Sequence, residues 1–281
     1  MIYKKSKRGR KLHEFIFLIG FFIITVTVVV YTNKQLKLET NKTTGNIIES
    51  NYVVREDNKG QNSSDSNSSK SIVNNERIDK TDKYINSVLN IPNIVNENKN
   101  VEKTINDKIK GDVNLFFEKN YKEAKDNFVN NNLDGVKFEA NTDFEVEKNT
   151  DSILSLKMRY YKYSGGAHGF YDDIAYNIDI RSGKFLELSD LFLEQSNYKE
   201  IINNEIKSQI KSLESENKEN VGIYQFNTIK ENQKYYFYGN NIVLYFDLYD
   251  IAPYAAGIPE FTINSDILMP IVKKEYVDLF K

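Results

Sequence analysis

Tyr163-Ser-Gly-Gly-Ala-His-Gly-Phe-Tyr171 joins two stretches of alternating apolar residues, Leu154 to Tyr160 before it and Ile174 to Ile180 after it. Period-two alternation marks strands with one buried face, so the quoted segment reads as the link between two strands. Three glycines within five residues ask for backbone at positive φ or for close approach of another group, and a Cβ resists both. Gly165, Gly166 and Gly169 are therefore read as structural. A phosphate-cradling loop would place Gly-Lys-Ser/Thr at the mouth of a helix, whereas this segment leads into a strand.

Outward from that link the pattern continues. Val136 to Val146 alternates with charged and amide residues, predicting another strand. Apolar residues from Val101 to Phe128 recur at steps of three and four, predicting a long amphipathic helix over 98–130. Tyr84 to Ile91 reads as a strand stopped by Pro92. Downstream, Asn197 and Glu200 have the spacing of a capping-box variant ahead of a helix from Tyr198 to Leu213. Tyr235 to Tyr238, the turn Gly239-Asn240 and Ile242 to Leu248 predict a hairpin. A strand near Glu260 to Ile263 and a short helix from about Met269 complete the pattern. The fold class expected is α+β: two small units, 80–170 and 171–281, with antiparallel sheets each packed by a helix.

The N-terminal quarter reads differently. Phe15 to Tyr31 is an uncharged, apolar run of seventeen residues, a helix of roughly 25 Å, near the lower limit for crossing a bilayer. Six basic residues between Lys4 and Lys11 precede it, predicting a basic cytoplasmic tail at 1–14 and an uncleaved signal anchor at 15–31. No A-x-A-like cleavage site follows. Residues 32–79 are rich in Asn, Ser and Lys and read as a disordered stalk holding the rest away from a membrane.

With no cysteine, 281 residues and a net charge of -2, the chain offers no disulfide, no thiolate ligand and no electrostatic case for nucleic acid. His168 is one of only two histidines. Ser164, Asp172 and Asp173 lie close to it in sequence, but a triad needs geometry that proximity along a chain does not supply, and a lone histidine is a poor metal site. His168 is read as pinning the glycine-rich link, with ligand contact as the alternative. In Tyr245-Phe-Asp-Leu-Tyr-Asp-Ile-Ala-Pro-Tyr-Ala-Ala-Gly257, Asp247 and Asp250 sit too close together to read as a glycosidase pair. Tyr249 and Tyr254 could present aromatic surface, with Pro253 and Gly257 shaping the turn. The ligand-binding candidates are His168, Tyr163, Tyr171, Tyr249 and Tyr254. No catalytic residue, metal or cofactor is assigned, and the chain is expected not to be an enzyme.

The segments YKYSGGAHG (161–169), YNIDIRSGKFLELSDLF (176–192) and YDIAPYAAGIPEFTI (249–263) resemble the paired extracytoplasmic domains of RsiV-type anti-sigma factors. The same domains occur in PdaC-type peptidoglycan deacetylases, and the resemblance spans roughly residues 80–270. It implies a PdaC-like first unit, an RsiV-like second unit and a position outside the membrane. It also implies a protein or peptidoglycan ligand, with lysozyme the named partner to test. Sigma-factor binding is not expected, because 1–14 is short, basic and without an apolar face. The alternatives are an RsiV-type anti-sigma factor that responds to lysozyme and, second, a cell-wall hydrolase or deacetylase using His168 with Asp172 or Asp173.

Overall fold

The computed structural model describes residues 71–131 and 137–281, without the side chains of 129–131. The basic tail expected at 1–14, the anchor expected at 15–31 and the stalk up to residue 70 lie outside the described residues. Among the described residues no helix is long and apolar enough to cross a membrane.

Seven strands form the first sheet: β1 (Ile72–Asp79), β2 (Ile85–Asn86), β3 (Val88–Val95), β4 (Phe138–Asn149), β5 (Ile153–Tyr163), β6 (Phe170–Asp179) and β7 (Lys184–Phe185). Their order is β1-β3-β4-β5-β6-β7, with β2 also beside β4. The pairing is mainly antiparallel; β2 and β3 meet β4 in parallel. Helix α1 (Lys99–Asn131) supplies the crossover. Its Val101, Ile105, Ile109 and Val113 are buried in one cluster with Leu154, Leu156 and Met158 of β5 and Ile178 of β6. Each such side chain contributes about 1.5–3 kcal/mol of burial free energy.

A second sheet, ordered β10 (Glu260–Ile263), β9 (Asn241–Tyr245), β8 (Tyr235–Tyr238), is wholly antiparallel. One of its faces packs Phe237, Ile242, Leu244 and Phe261 with Ile202, Ile206 and Ile210 of α2 (Tyr198–Glu216). A buried polar network ties it to the first sheet. Ser155 Oγ donates to Asn177 Oδ1 at 2.6 Å, Asn177 Nδ2 donates to Tyr235 O at 2.7 Å, and Phe237 N donates to Ser155 Oγ at 3.0 Å. Every member has a partner, which is what makes burial of such groups tolerable.

The outer edge of β6 is closed by side chains rather than by a full strand, because β7 pairs only with Ile178 and Asp179. Farther along, Leu186 N donates to Asn177 O at 2.7 Å. Ala175 N then donates to the Tyr245 hydroxyl at 2.8 Å, and that hydroxyl donates to Asp173 O at 3.1 Å. Lys234 Nζ also donates to Asp173 O, at 3.0 Å. Tyr254 donates to Gly169 O at 3.3 Å. Unpaired strand edges are sites of misassociation; here residues of the C-terminal half cover them.

Several elements differ from expectation. Strand β1 begins at Ile72, inside the segment read as stalk. Its polar sequence IVNNERID earns its place by pairing along its whole length with β3. Pro92 lies within β3 instead of ending it. Asn90 O accepts from Thr142 Oγ1, and both the N–H and the C=O of Ile94 bond to the Asn106 side chain. The even-numbered positions of β3 therefore direct their backbone away from β1, and Pro92 costs that ladder no donor. Strands β6 and β7 belong to the first sheet, so that sheet runs past residue 170. Asn197 makes no side-chain cap; the reciprocal box forms instead between Glu187 and Asp190. The short helix expected from Met269 is α3 (Ser265–Leu268), followed by 3-10 turns at Met269–Ile271 and Lys274–Phe280.

One buried cation fastens the chain's end. The β4 ladder shifts register between Val146 and Lys148. Lys148 Nζ donates to Gly239 O at 2.6 Å, Leu279 O at 2.7 Å and Lys281 O at 3.1 Å. Burial pulls its ammonium down to about 8. Between that value and the ordinary lysine value the unfolded chain binds the extra proton, so stability rises with pH there. The difference in unfolding free energy between the wild type and Lys148→Met should therefore move in favour of the wild type from pH 8 to pH 10. A flat difference in pH-dependent denaturant titrations would refute this. For the β6 edge, Tyr245→Phe deprives Ala175 N–H of its acceptor and should cost about 1–3 kcal/mol. That loss is read as a lower denaturation midpoint at unchanged m-value.

Candidate ligand-binding site

The structure brings His168, Tyr254 and Tyr249 together. The imidazole stacks on the Tyr254 ring with centroids 4.5 Å apart and planes inclined by 29°. Tyr249 stands 5.5 Å from Tyr254 and is 61% exposed. His168 Nδ1 lies 2.8 Å from Gly169 O, the same carbonyl that accepts from Tyr254. Three rings thus form a shelf at the end of β6, on a link that the sequence marked for its glycines.

Local backbone explains the shelf. Gly165 turns at φ 87. Gly169 lies so close to the Tyr161 ring that a Cβ there would collide with it. Pro253 caps a 3-10 turn, Tyr254–Ala256, which Gly257 closes at φ 71. Tyr249 adopts φ 68, a left-handed conformation that disfavours side chains by about 1–3 kcal/mol. A Cβ at Gly166 would meet only His168 O, at 3.9 Å, an ordinary contact.

The other two candidates stand apart from the stacked trio. Tyr163 ends β5 opposite Glu139. Tyr171 pairs with Tyr161 across β5 and β6, and the Arg159 guanidinium lies 4.6 Å from its ring centroid. The acids beside His168 in sequence are engaged elsewhere. Asp173 accepts two hydrogen bonds from Arg159, at 2.8 and 2.7 Å, with its side chain 2% exposed. Asp172 accepts from Lys234 at 2.5 Å, and Asp247 accepts from the same ammonium at 2.6 Å. Asp250 pairs with Lys230, and Ser164 is exposed. The histidine-acid set considered for hydrolysis is not assembled by these contacts.

Lys234 is a residue that sequence reading missed. Burial would pull its ammonium down, but bonds to Asp172 and Asp247 outweigh that and hold it above the ordinary value. Burial likewise pushes the Asp172 carboxyl up; Lys234 opposes the rise and Asp247 adds to it. The partners lie 62 and 13 residues away, and no local pattern announces them.

On the opposite face of β5 and β6, beneath α1, an open cleft of about 550 Å3 was also unforeseen. Its floor is a chain of hydroxyls. Tyr176 donates to Asp112 Oδ2 at 2.8 Å, and the Tyr160 and Tyr176 oxygens are 2.9 Å apart. Burial pushes the Tyr160 phenol up to about 12 and, with Tyr160 and Asp112, raises Tyr176 well above the ordinary tyrosine value. Among the described residues no group of three or more His, Asp or Glu is placed to hold a metal ion.

Comparison with known proteins places this geometry in context. Residues 78–171 match the family described as "Deacetylase PdaC", and residues 189–266 match "Protein of unknown function (DUF3298)". Among curated proteins, the chain is 28% identical over 193 residues to the peptidoglycan-N-acetylmuramic acid deacetylase PdaC of Bacillus subtilis. That alignment covers 63% of this chain and 38% of the relative's length. A crystal structure of a DUF3298 family member from Bacteroides fragilis superposes with a TM-score of 0.58 at 19% identity, covering 75% of this chain and 97% of the other. Another, from Pseudomonas aeruginosa, gives 0.51 at 19% identity, covering 72% and 95%. The fold is therefore shared with these two proteins. The matches support a pair of extracytoplasmic-type domains, PdaC-like then DUF3298-like; the anti-sigma assignment does not follow from them. The expectation that the chain is not an enzyme is corrected here, because a relative over 193 residues is named a deacetylase and points toward enzymatic chemistry.

Proposed function

We propose that this chain works outside the cytoplasm and engages peptidoglycan, with the His168–Tyr254–Tyr249 shelf as its contact with the glycan. The shelf carries the reading. Pyranose rings present C–H bonds on their apolar faces, and tyrosine offers a flat, polar-tipped partner with few rotors to immobilise. Tyr249 keeps its ring in solvent while its backbone sits at φ 68, a combination that core packing does not explain and that fits a ligand contact. The Bacillus relative's name specifies peptidoglycan N-acetylmuramic acid, which supports the ligand class. The apolar run 15–31 and the polar segment after it support a tether in the membrane.

A protein ligand such as lysozyme rests on the earlier resemblance alone and is the weaker choice. A second reading, that the chain takes part in removing acetyl groups from the glycan, is favoured by the name of the same relative.

Purified full-length chain should co-sediment with purified peptidoglycan sacculi. Tyr249→Ala combined with Tyr254→Ala should reduce the bound fraction at least tenfold. Tyr249→Gly, which relieves the positive φ, should hold stability within about 1 kcal/mol of the wild type while weakening retention. Failure of the wild type to sediment, or full retention by the double variant, overturns the shelf as a glycan contact. Acetate released from the same sacculi by the wild type would establish the second reading.

A further inference from the structure

The cleft beneath α1 has the chemistry of a binding site separate from the shelf. Lys119 and Lys162 line it, and among the described residues neither has an anionic partner. Of the other charges, Lys108 pairs with Asp112 at 2.5 Å, and Asp172 shares the Lys234 ammonium with Asp247, at 2.5 and 2.6 Å, so the two lysines leave the lining with an excess of positive charge. Two unneutralised ammonium groups therefore face one concavity. Phe170 and Leu115 on its lip are 39% and 71% exposed, an apolar surface next to cations.

The floor adds a directional requirement. Tyr176 commits its single proton to Asp112, so Tyr160 donates to Tyr176. No other group among the described residues bonds to the Tyr160 oxygen, which leaves its lone pairs able to accept from an N–H or O–H of a guest. An occupant must therefore carry an anion for the two lysines, a hydrogen-bond donor for Tyr160 and a small apolar group for Phe116 or Ile174. The volume lies in the range of small-molecule sites.

We infer that this cleft binds an N-acetylated sugar bearing a free carboxylate, the chemistry of N-acetylmuramic acid with its lactyl group unsubstituted. This rests on the reading that the chain engages peptidoglycan and deepens it. The acetamido N–H suits Tyr160, the acetyl methyl suits the apolar wall, and the lactyl carboxylate suits Lys119 and Lys162. In peptidoglycan that carboxylate is tied up as an amide wherever a stem peptide is attached. The class of reaction that must supply this ligand is therefore hydrolysis of the sugar–peptide amide bond, which adds water and frees the carboxylate and the peptide's amine. The site would distinguish stripped strands from peptide-bearing ones.

The test compares three probes on the full chain by ligand-observed NMR titration: N-acetylmuramic acid, its lactyl carboxamide and N-acetylglucosamine. The acid should bind at least tenfold tighter than the other two. Lys119→Gln with Lys162→Gln should abolish that preference, and so should raised salt. Both lysines are surface groups without an anionic partner among the described residues, so this variant should fold; retention on sacculi through the shelf serves as its control. If the wild type binds sacculi but the three probes bind alike, or if the double variant keeps the preference, the cleft assignment fails and the shelf reading stands. If the acid is preferred but sacculi are not bound, the shelf reading fails and the cleft assignment stands.

Discussion

The hydroxyl of Tyr245 on the outer edge of β6 is the contact from which the rest of the arrangement follows. It accepts from Ala175 N and donates to Asp173 O, doing with one side chain what a neighbouring strand would do with two backbone groups. A tyrosine can fill both roles because its oxygen has lone pairs to receive one bond and a proton to give another. Lys234 adds a third bond on the same edge and draws in Asp172 and Asp247. Without such groups β6 would end in exposed polar backbone beyond Asn177, and the link before it would have nothing to rest on.

Fixing that edge fixes what lies at its end. Gly169 O, two positions before Tyr171 on the same side of the strand, receives the Tyr254 hydroxyl. The turn carrying Tyr254 is thereby held against the glycine-rich link, and His168 can stack on it. The shelf is thus a consequence of closing the sheet as much as a device placed upon it. The proposed contact surface and the fold meet at one hydrogen bond, and a residue that serves both would be hard to recognise from one chain's sequence.

Much of the fold was legible because its signal is local. Alternation announced β4, β5 and β6; steps of three and four announced α1 and α2; Gly239-Asn240 announced the β8–β9 turn. Of the shelf, Tyr249 and Tyr254 were readable as aromatic surface, and His168 as a residue pinning the glycine-rich link with ligand contact as the alternative. What stayed hidden depends on distant partners. The polar strand β1 is fixed by pairing with β3, not by its own composition, and Pro92 is tolerated only because of which way the backbone of β3 faces. Lys234 looks like any solvated lysine until the fold brings two carboxylates to it. The cleft needs Lys119 from a helix and Lys162 from a strand, a juxtaposition no period in the sequence encodes.

The two surfaces share strand β6, and the period of two keeps them apart. Odd-numbered residues direct backbone to the outer edge, and their side chains Asp173, Ala175 and Asn177 face the second sheet. Even-numbered Phe170, Asp172, Ile174 and Tyr176 turn toward α1 and line the cleft. A one-residue slip would exchange the two sets completely. Such a slip would put Ile174 or Tyr176 in the place of Ala175 against the second sheet, and Tyr171 or Asp173 in the place of Asp172. The Lys234 ion pairs tie the outer edge of β6 to Asp172 of the cleft's lining. Asp172 is the member on which both depend, since it touches Lys234 at the edge and the cleft from within.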